Sequence, residues 1–354
     1  MALLDETLNR IIAPDQEAAG IARARLDSLT KPRGSLGRLE DIAARFAAIR
    51  RNASPAVAHP VITVFVADHG IADEGVSAYP KAVTVEMLRN LASGGAAICV
   101  LARKLGYELQ IVDVGVETDT SSAPLPGVLY RRLGAGTRNF MRGPAMSSAE
   151  ARRALEVGIE VASEAAARGS TTVGIGEMGI ANSTSAAAIL ASLTQIAPGR
   201  LAGRGTGLDD AGLKRKVEVI ERALELHRAS LGDPLATLAV MGGFEIAAMA
   251  GVCIGAAASR VAVVVDGFIA TAAAALAARI NPHIFGYLFF AHRSAEGGHA
   301  LALEALGAEP ILDLGMRLGE GTGAALAMSV IESALALYTQ MATFASASVS
   351  EKIR

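Results

Sequence analysis

VITVFVADHG, residues 61–70, is a continuous apolar run that ends in an acid, a histidine and a glycine. A strand covered by helices on both faces has such an uninterrupted run, whereas a half-exposed strand alternates apolar and polar residues. We therefore expect residues 61–67 to form a buried strand. Five further short runs of this kind follow along the chain: Leu109–Gly115, Thr171–Ile175, Val261–Asp266, Phe285–Phe290 and Pro310–Leu314.

Helical patterns separate most of these runs. The clearest start is at Ser147, which with Glu150 forms a Ser-x-x-Glu capping box. Strands that alternate with helices favour a parallel sheet covered by helices, so the fold class is α/β. The predicted helices are Ala82–Leu105, Ser148–Arg168, Asp209–Ala229 and Ala324–Phe344.

The two ends of the chain differ from its middle. Residues 1–55 have the pattern of two helices joined by a loop, and one long helix follows the last strand. We expect residues 1–55 and 325–354 to pack together as a small helical domain. Residues 56–324 would then form the large α/β domain that holds the active site.

Composition limits the partners and the compartment. The 354 residues carry a net charge of -2, which gives no basic footprint for nucleic acid or anionic membrane. Cys99 and Cys253 have apolar neighbours and no metal-ligand spacing, which is typical of a reducing compartment. The first ten residues carry acids and no secretory pattern. We therefore expect a cytoplasmic protein.

One apolar stretch, Ala236–Ala258, is long enough to cross a membrane. Glu245 lies near its middle, where a carboxylate would be costly in lipid, and Gly242 and Gly243 interrupt it. We expect buried helices here and no membrane partner. The stretch also offers more apolar surface than a modest sheet can cover, which favours a homodimer.

Glycine-rich turns follow several predicted strands at the edge where open parallel sheets bind ligands. They are residues 176–179, 203–207 and 319–323. Glycines let the backbone approach a ligand, and free amides at a helix start attract phosphate. None of the turns matches a phosphate-loop or dinucleotide fingerprint, and the middle one is equally well explained as a flexible turn before a helix.

Carboxylates in these turns are candidates for acid–base work. Helix-start amides favour the charged form, while partial burial raises the pKa, and the balance suits a base near neutral pH. The six histidines include no metal-binding pair, and no Gly-x-Ser-x-Gly elbow is present. A displacement that uses carboxylates and no metal, as in glycoside chemistry, remains open.

Nine ordered segments together resemble one family over nearly the whole chain, the nicotinate-nucleotide:dimethylbenzimidazole phosphoribosyltransferases. No single segment is specific for this family, but the occurrence of all nine in the same order is. The segments are residues 29–40, 67–80, 136–140, 176–182, 203–207, 242–246, 265–268, 292–296 and 314–323.

This resemblance implies a Rossmann-like sheet of six parallel strands, a small helical domain from both termini and a homodimer. It implies nicotinate mononucleotide and a benzimidazole-type base as substrates, with no cofactor. The leaving group is a pyridinium that departs as a neutral ring, so no metal is expected. The product would be the α-configured riboside phosphate, with nicotinate released.

The resemblance also implies residue roles. Glu320 is the general base, Glu177 lies beside the substrate, and Lys216 matches a family lysine, although its bare sequence context is that of a solvated helix residue. Glu86 stands where a glutamine facing the base is expected, and base preference would be altered if Glu86 faces the pocket. The other expected binding residues are Ser77, Tyr79, Met178 and Met316 near the base, and Gly176, Gly179, Asn182, Gly205, Thr206, Asp266, Ser294, Gly319, Gly321 and Thr322.

Two rival functions remain at this point. A diphosphate-dependent phosphoribosyltransferase has an apolar run followed by two acids, and here Asp266 is followed by Gly267. A nucleotide-binding protein without catalysis would use the same fold. Release of nicotinate on incubation with both substrates separates these alternatives.

Overall fold

Seven parallel strands form a single sheet in the computed structural model, which describes residues 3–350. Their order across the sheet is β3-β2-β1-β4-β5-β6-β7. The strands are β1 (Val61–Ala67), β2 (Glu108–Gly115), β3 (Val128–Tyr130), β4 (Thr172–Met178), β5 (Ala262–Val265), β6 (Leu288–His292) and β7 (Pro310–Leu312).

The strand order reverses between β1 and β4. The chain runs outward from β1 to β3, crosses back to β4 beside β1, and then runs outward to β7. Phe65 of β1 pairs with Glu177 of β4, so the carboxyl ends of these strands lie side by side. Ligands of open α/β sheets bind at such a switch point.

Fifteen α-helices in residues 3–350 surround the sheet, with 3₁₀ turns at Gly70–Glu74, Arg228–Ser230 and Pro282–Tyr287. The helices are α1 (Leu3–Leu8), α2 (Gln16–Ser28), α3 (Arg38–Arg50), α4 (Ala82–Ala92), α5 (Ala97–Leu105), α6 (Ser148–Ala167), α7 (Asn182–Thr194), α8 (Pro198–Leu201), α9 (Asp210–Leu226), α10 (Pro234–Met241), α11 (Phe244–Ala258), α12 (Phe268–Ile280), α13 (His299–Leu306), α14 (Thr322–Gln340) and α15 (Phe344–Ala347).

Both faces of the sheet are covered. Every residue of β1 is buried, and its side chains alternate between the two faces, so helices must pack on each. α11 packs against β1, β4 and β5, and it also contacts α6 and α12. α14 packs against β4, β5 and β6, and it also contacts α3 and α5. This is the arrangement that the continuous apolar runs predict.

All six predicted strands are present, but the predicted number of strands is wrong. β3 is the seventh, a three-residue edge strand whose Leu129 is exposed. So short a segment has no apolar run to mark it. The strand predicted at Phe285–Phe290 begins later, because its first residues form the 3₁₀ turn that ends at Tyr287.

The predicted helices are confirmed with one break. The Ser147–Glu150 capping box is present at the start of α6. The stretch predicted as one helix over Ala82–Leu105 divides into α4 and α5 around residues 93–96, where Gly94 has a φ of 80°. A positive φ suits glycine and ends a helix at that point.

The apolar stretch Ala236–Ala258 forms two buried helices, separated at Gly242 and Gly243. Residues 244–257 are all buried within this one chain. They therefore offer no free apolar surface to a second copy of the chain. The prediction that this stretch forms a dimer interface is wrong. Two helical segments, Ala82–Leu105 and Thr322–Gln340, are long and apolar enough to cross a membrane by length and composition alone. The first contains the break between α4 and α5, and the second packs on the sheet.

Segments from both ends of the chain meet beside α14. Arg25 of α2 donates hydrogen bonds to the carbonyl oxygens of Tyr338 and Thr339, at 2.9 and 3.1 Å. α14 contacts the strands of the sheet as well as α3. The division into a small and a large domain stays a prediction, and its residues 1–2 and 351–354 lie outside the described residues.

Candidate active site

A cavity of about 320 Å³ opens at the carboxyl edge of the sheet, at the switch point between β1 and β4. It combines apolar side chains, backbone amides and a few charged groups, which is typical of small-molecule sites. Its lining is Val76, Ser77, Tyr79, Glu177, Met178, Gly179, Ile180, Ala181, Asn182, Ser183, Gly205, Thr206, Gly267, Phe268, Ile269, His292, Ser294, Glu296, Arg317, Leu318 and Gly319.

Two helices begin at the cavity wall without a side-chain cap. α7 begins at Asn182 after Ala181, which has a φ of 75°, and α12 begins at Phe268 after Gly267. The first backbone N–H groups of a helix have no partner within the helix, and with the helix dipole they attract anions. The two starts together make this wall suitable for a phosphate group.

Lys216 lies behind the same wall. Its side chain is fully buried, and its Nζ donates to Ser183 Oγ at 2.8 Å and to the carbonyl oxygen of Gly203 at 3.1 Å. Burial lowers the pKa of Lys216 to about 8, against the charge of Glu296. The solvated lysine that its sequence context suggests is therefore not what the structure has. A buried cation here complements a bound anion.

The loop at residues 203–207 forms one rim of the cavity. Glu296 accepts a hydrogen bond from the amide of Gly205 at 2.9 Å, and Arg317 donates to the carbonyl oxygen of Gly205 at 3.0 Å. Thr206 Oγ1 lies 3.3 Å from Ser77 Oγ, on the segment that carries Tyr79. These contacts join four separate parts of the chain around one opening.

Three carboxyl groups lie at the end of β4 and in the two neighbouring turns. Burial raises the pKa of Glu177 to about 8, with further increases from the charges of Glu245, Asp266 and Glu320, while the Asn182 amide opposes them. Burial raises the pKa of Asp266 to about 7, against hydrogen bonds from backbone N–H groups. Strongly perturbed groups beside a cavity are typical of functional sites.

Glu320 is buried in a strained turn. Its φ is 61°, a left-handed conformation that is uncommon for any residue but glycine. Burial raises its pKa, and the N–H of Ile98 at the start of α5 opposes this. Among residues 3–350, its buried Oε2 has no hydrogen-bond partner. Glu320 does not line the cavity itself, but the preceding residue, Gly319, does.

Asp266 holds this turn in place. Its Oδ2 accepts from the N–H of Gly321 at 3.1 Å, and its Oδ1 accepts from the N–H of Ala324 at 3.0 Å. A carboxylate thus satisfies the first amides of α14, which has no cap from its own N-cap residue. Asp266 therefore caps α14, and Glu320 does not.

Ten of the predicted site residues line the cavity: Ser77, Tyr79, Glu177, Met178, Gly179, Asn182, Gly205, Thr206, Ser294 and Gly319. Six others lie in the turns or contacts just described or directly next to them: Glu320, Lys216, Gly176, Asp266, Gly321 and Thr322. Met316 is half-buried outside the lining, and Glu86 is exposed on α4. His292, Glu296 and Arg317 also line the cavity but were not predicted as site residues, although they lie in the segments 292–296 and 314–323 that carry the resemblance.

Comparisons with known proteins show the family of the chain. A phosphoribosyltransferase family model matches residues 11–349. The nicotinate-nucleotide–dimethylbenzimidazole phosphoribosyltransferase of Geobacter sulfurreducens is 50% identical over 351 residues, 99% of each chain. The enzyme of that name from Azotobacter vinelandii is 53% identical over 337 residues, 95% of this chain and 96% of its own. A crystal structure of the Thermus thermophilus enzyme superposes with a TM-score of 0.90 at 42% identity, covering 96% of this chain and all of that one.

Proposed function

This chain belongs to the nicotinate-nucleotide–dimethylbenzimidazole phosphoribosyltransferase family, and we propose that Glu320 is the base of the reaction in its cavity. The protein is a phosphoribosyltransferase that moves the phosphoribosyl group of nicotinate mononucleotide to dimethylbenzimidazole. The observation that carries the proposal is the buried Glu320 Oε2, which has no hydrogen-bond partner in residues 3–350 and belongs to the residue after Gly319 of the cavity lining.

The bonds of the reaction define what the protein must do. The ring nitrogen of nicotinate leaves C1′ with the bonding electron pair, and a benzimidazole nitrogen forms the new bond from the opposite face, which gives the α-configuration. The other benzimidazole nitrogen then carries an acidic N–H, and its proton passes to Glu320. General-base catalysis of this kind contributes about 10²–10⁴-fold.

Two regions of the cavity wall support a proposed division of the two substrates. The starts of α7 and α12, with Lys216 behind them, suit the phosphate of the nucleotide. Tyr79, Met178 and Leu318 offer apolar surface for the aromatic base. Proton transfer needs a Glu320 oxygen within about 3 Å of the base N–H, a contact that often forms only once substrate is bound.

The reaction should not depend on a divalent metal ion. Nicotinate departs as a neutral ring with its own carboxylate, so no diphosphate charge develops that a metal would have to absorb. We expect EDTA to leave the rate of nicotinate release unchanged, measured by chromatography with both substrates present. Loss of activity in EDTA with recovery on addition of Mg²⁺ would favour the diphosphate-dependent alternative, and no release at all would favour a non-catalytic nucleotide-binding protein.

Base selection should be loose. An apolar pocket distinguishes one ring methyl group by about 1–3 kcal/mol, so benzimidazole and its methylated forms should compete within roughly two orders of magnitude in kcat/KM. Competition assays with paired bases measure this ratio. Because Glu86 is exposed on α4, Glu86→Gln is expected to leave the ratio unchanged. A preference beyond about ten-thousandfold would instead indicate a dedicated polar contact.

We further propose a cytoplasmic homodimer; the compartment rests on the composition of the chain and the homodimer on the family resemblance. Light scattering at micromolar protein should then give about twice the chain mass of 36.2 kDa. A mass equal to that of one chain would contradict this expectation.

A further inference from the structure

Two motifs that the transfer reaction does not use meet inside the protein. His69 follows β1, and Glu245 lies in the first turn of α11. His69 Nε2 is 2.6 Å from Glu245 Oε1, and both side chains are completely buried. The two residues are 176 positions apart in the chain, so only the fold brings them together.

Ser185 of α7 completes a chain of three residues, with its Oγ 3.1 Å from His69 Nδ1. The order serine, histidine, glutamate is that of a hydrolytic triad. Here, however, Ser185 and Glu245 are fully buried and His69 nearly so, and all three are absent from the lining of the cavity. A substrate carbonyl group has no route to Ser185, so these residues must act on their neighbours.

Their contacts lead to Glu177. Ser185 lies in the first turn of α7, and the side-chain amide of Asn182 at the start of that helix donates to Glu177 Oε2. Gly179, two residues after Glu177, lies beside the imidazole, because a Cβ atom added there would be 3.4 Å from His69 Cδ2. The His69 ring is therefore next to both segments that adjoin Glu177, which are the first turn of α7 and the turn after β4.

The charge of Glu245 also links this pair to Glu177. Glu245 Oε2 is buried and has no hydrogen-bond partner within residues 3–350, an arrangement that costs free energy and therefore calls for an explanation. After burial, the charge of Glu245 is the largest cause that raises the pKa of Glu177. The other groups that act on Glu177 are Asp266 at the end of β5, Glu320 before α14 and Asn182 on α7.

We propose that His69 and Glu245 are a positioning pair that acts through Glu177, fixing where its carboxyl group lies and allowing it to donate a hydrogen bond to the nucleotide at neutral pH. The inference rests on the proposed function, because the nucleotide is the substrate of that reaction. It gives Glu177 and Glu320 different tasks: Glu177 is the neutral donor, and Glu320 is the charged base.

The sign of the pH effect follows from these contacts. A donor Glu177 must be protonated, so kcat should fall as pH rises through its pKa of about 8. Glu245→Gln removes a neighbouring negative charge and should lower the pKa of Glu177, so this alkaline limb should move to lower pH by about one unit. Glu177→Gln keeps a neutral side chain at every pH and should lose the limb.

The test compares kcat against pH for the parent and Glu245→Gln, with Asp113→Asn as the matched control. Asp113 is equally buried and paired with Arg132 at 2.8 Å, but its charge is not among the causes that act on Glu177. Asp113→Asn should lose stability and keep the limb. If Glu245→Gln does not fold, His69→Leu serves, because it removes the 2.6 Å contact that holds Glu245 Oε1 in place.

An infrared titration of protonated carboxyl groups gives a second readout that does not need turnover. A band that disappears near pH 8 in the parent, is missing in Glu177→Gln and disappears at lower pH in Glu245→Gln supports the pair. The same limb and the same titration in parent and Glu245→Gln overturn it. A parent that titrates as expected but releases no nicotinate contradicts the proposed function and leaves the pair standing.

Discussion

Replacing Glu320 with glutamine is expected to lower kcat by about 10²–10⁴, because the amide cannot accept the benzimidazole proton. The amide keeps the size of the side chain and its hydrogen-bonding capacity. Asp266, and not Glu320, accepts from the first amides of α14, so the helix start should remain intact. KM for nicotinate mononucleotide should change little, since backbone amides and Lys216 would hold the phosphate. Steady-state kinetics and a thermal melt measure both effects.

Glu177→Gln is the matched control for this variant. Glu177 is also a buried glutamate of the site, and its pKa of about 8 leaves it mostly protonated at neutral pH. A neutral amide therefore resembles its working form, and the loss of kcat should be much smaller. A Glu320→Gln enzyme with kcat within threefold of the parent would contradict the assignment of Glu320 as the base. Glu177 or Asp266 would then be the leading candidate for the base.

Gly176→Ala should lower kcat by about 10²-fold while nucleotide binding persists. A Cβ atom at Gly176 would lie 2.4 Å from the N of Gly321 and 2.6 Å from the carbonyl carbon of Glu320. Both are backbone atoms of the turn that carries Glu320, so the turn must move. A displacement of about 1 Å in catalytic geometry can cost this much. Single-turnover kinetics and a binding titration separate the rate from the affinity.

Gly174→Ala is its control on the same strand and the same face. A Cβ atom there would lie 2.5 Å from Ile62 Cδ1, the end of a flexible side chain, and 3.2 Å from both Ala324 Cβ and Met328 Sδ, so no backbone atom is among its nearest contacts. This variant should lose about 1–3 kcal/mol of stability from overpacking and keep its rate. Equal kcat values for the two variants would show that the position of Glu320 does not limit the reaction.

Local pattern was enough to predict most of the fold. Strands buried on both faces have continuous apolar runs, and the start of α6 has a capping box, so both are visible in the sequence. β3 is only three residues long with an exposed middle residue, and nothing local marks it. The break between α4 and α5 was readable, because Ser93-Gly94-Gly95 is a helix-stop signal within the predicted helix.

Candidate site residues could be picked out where they lie at the carboxyl end of a strand, as Glu177 does, or in the turn before a helix, as Glu320 does. The burial of these residues and their long-range partners could not be predicted from the sequence. Lys216 has the sequence context of an exposed helix lysine, and only the fold places Ser183 and Gly203 around its Nζ. His69 and Glu245 form their pair across 176 positions, a separation at which periodicity and spacing carry no information.

The pH dependence of kcat, measured in parallel for the parent and Glu320→Gln, tests the role of Glu320 most directly. Burial raises the pKa of Glu320, so the parent should lose activity on the acid side as this carboxylate takes up a proton. Glu320→Gln should lack that acid limb, and its deficit should shrink as pH rises, because hydroxide partly replaces the missing base. The same acid limb in both enzymes, with a constant ratio of rates across the pH range, would contradict the account.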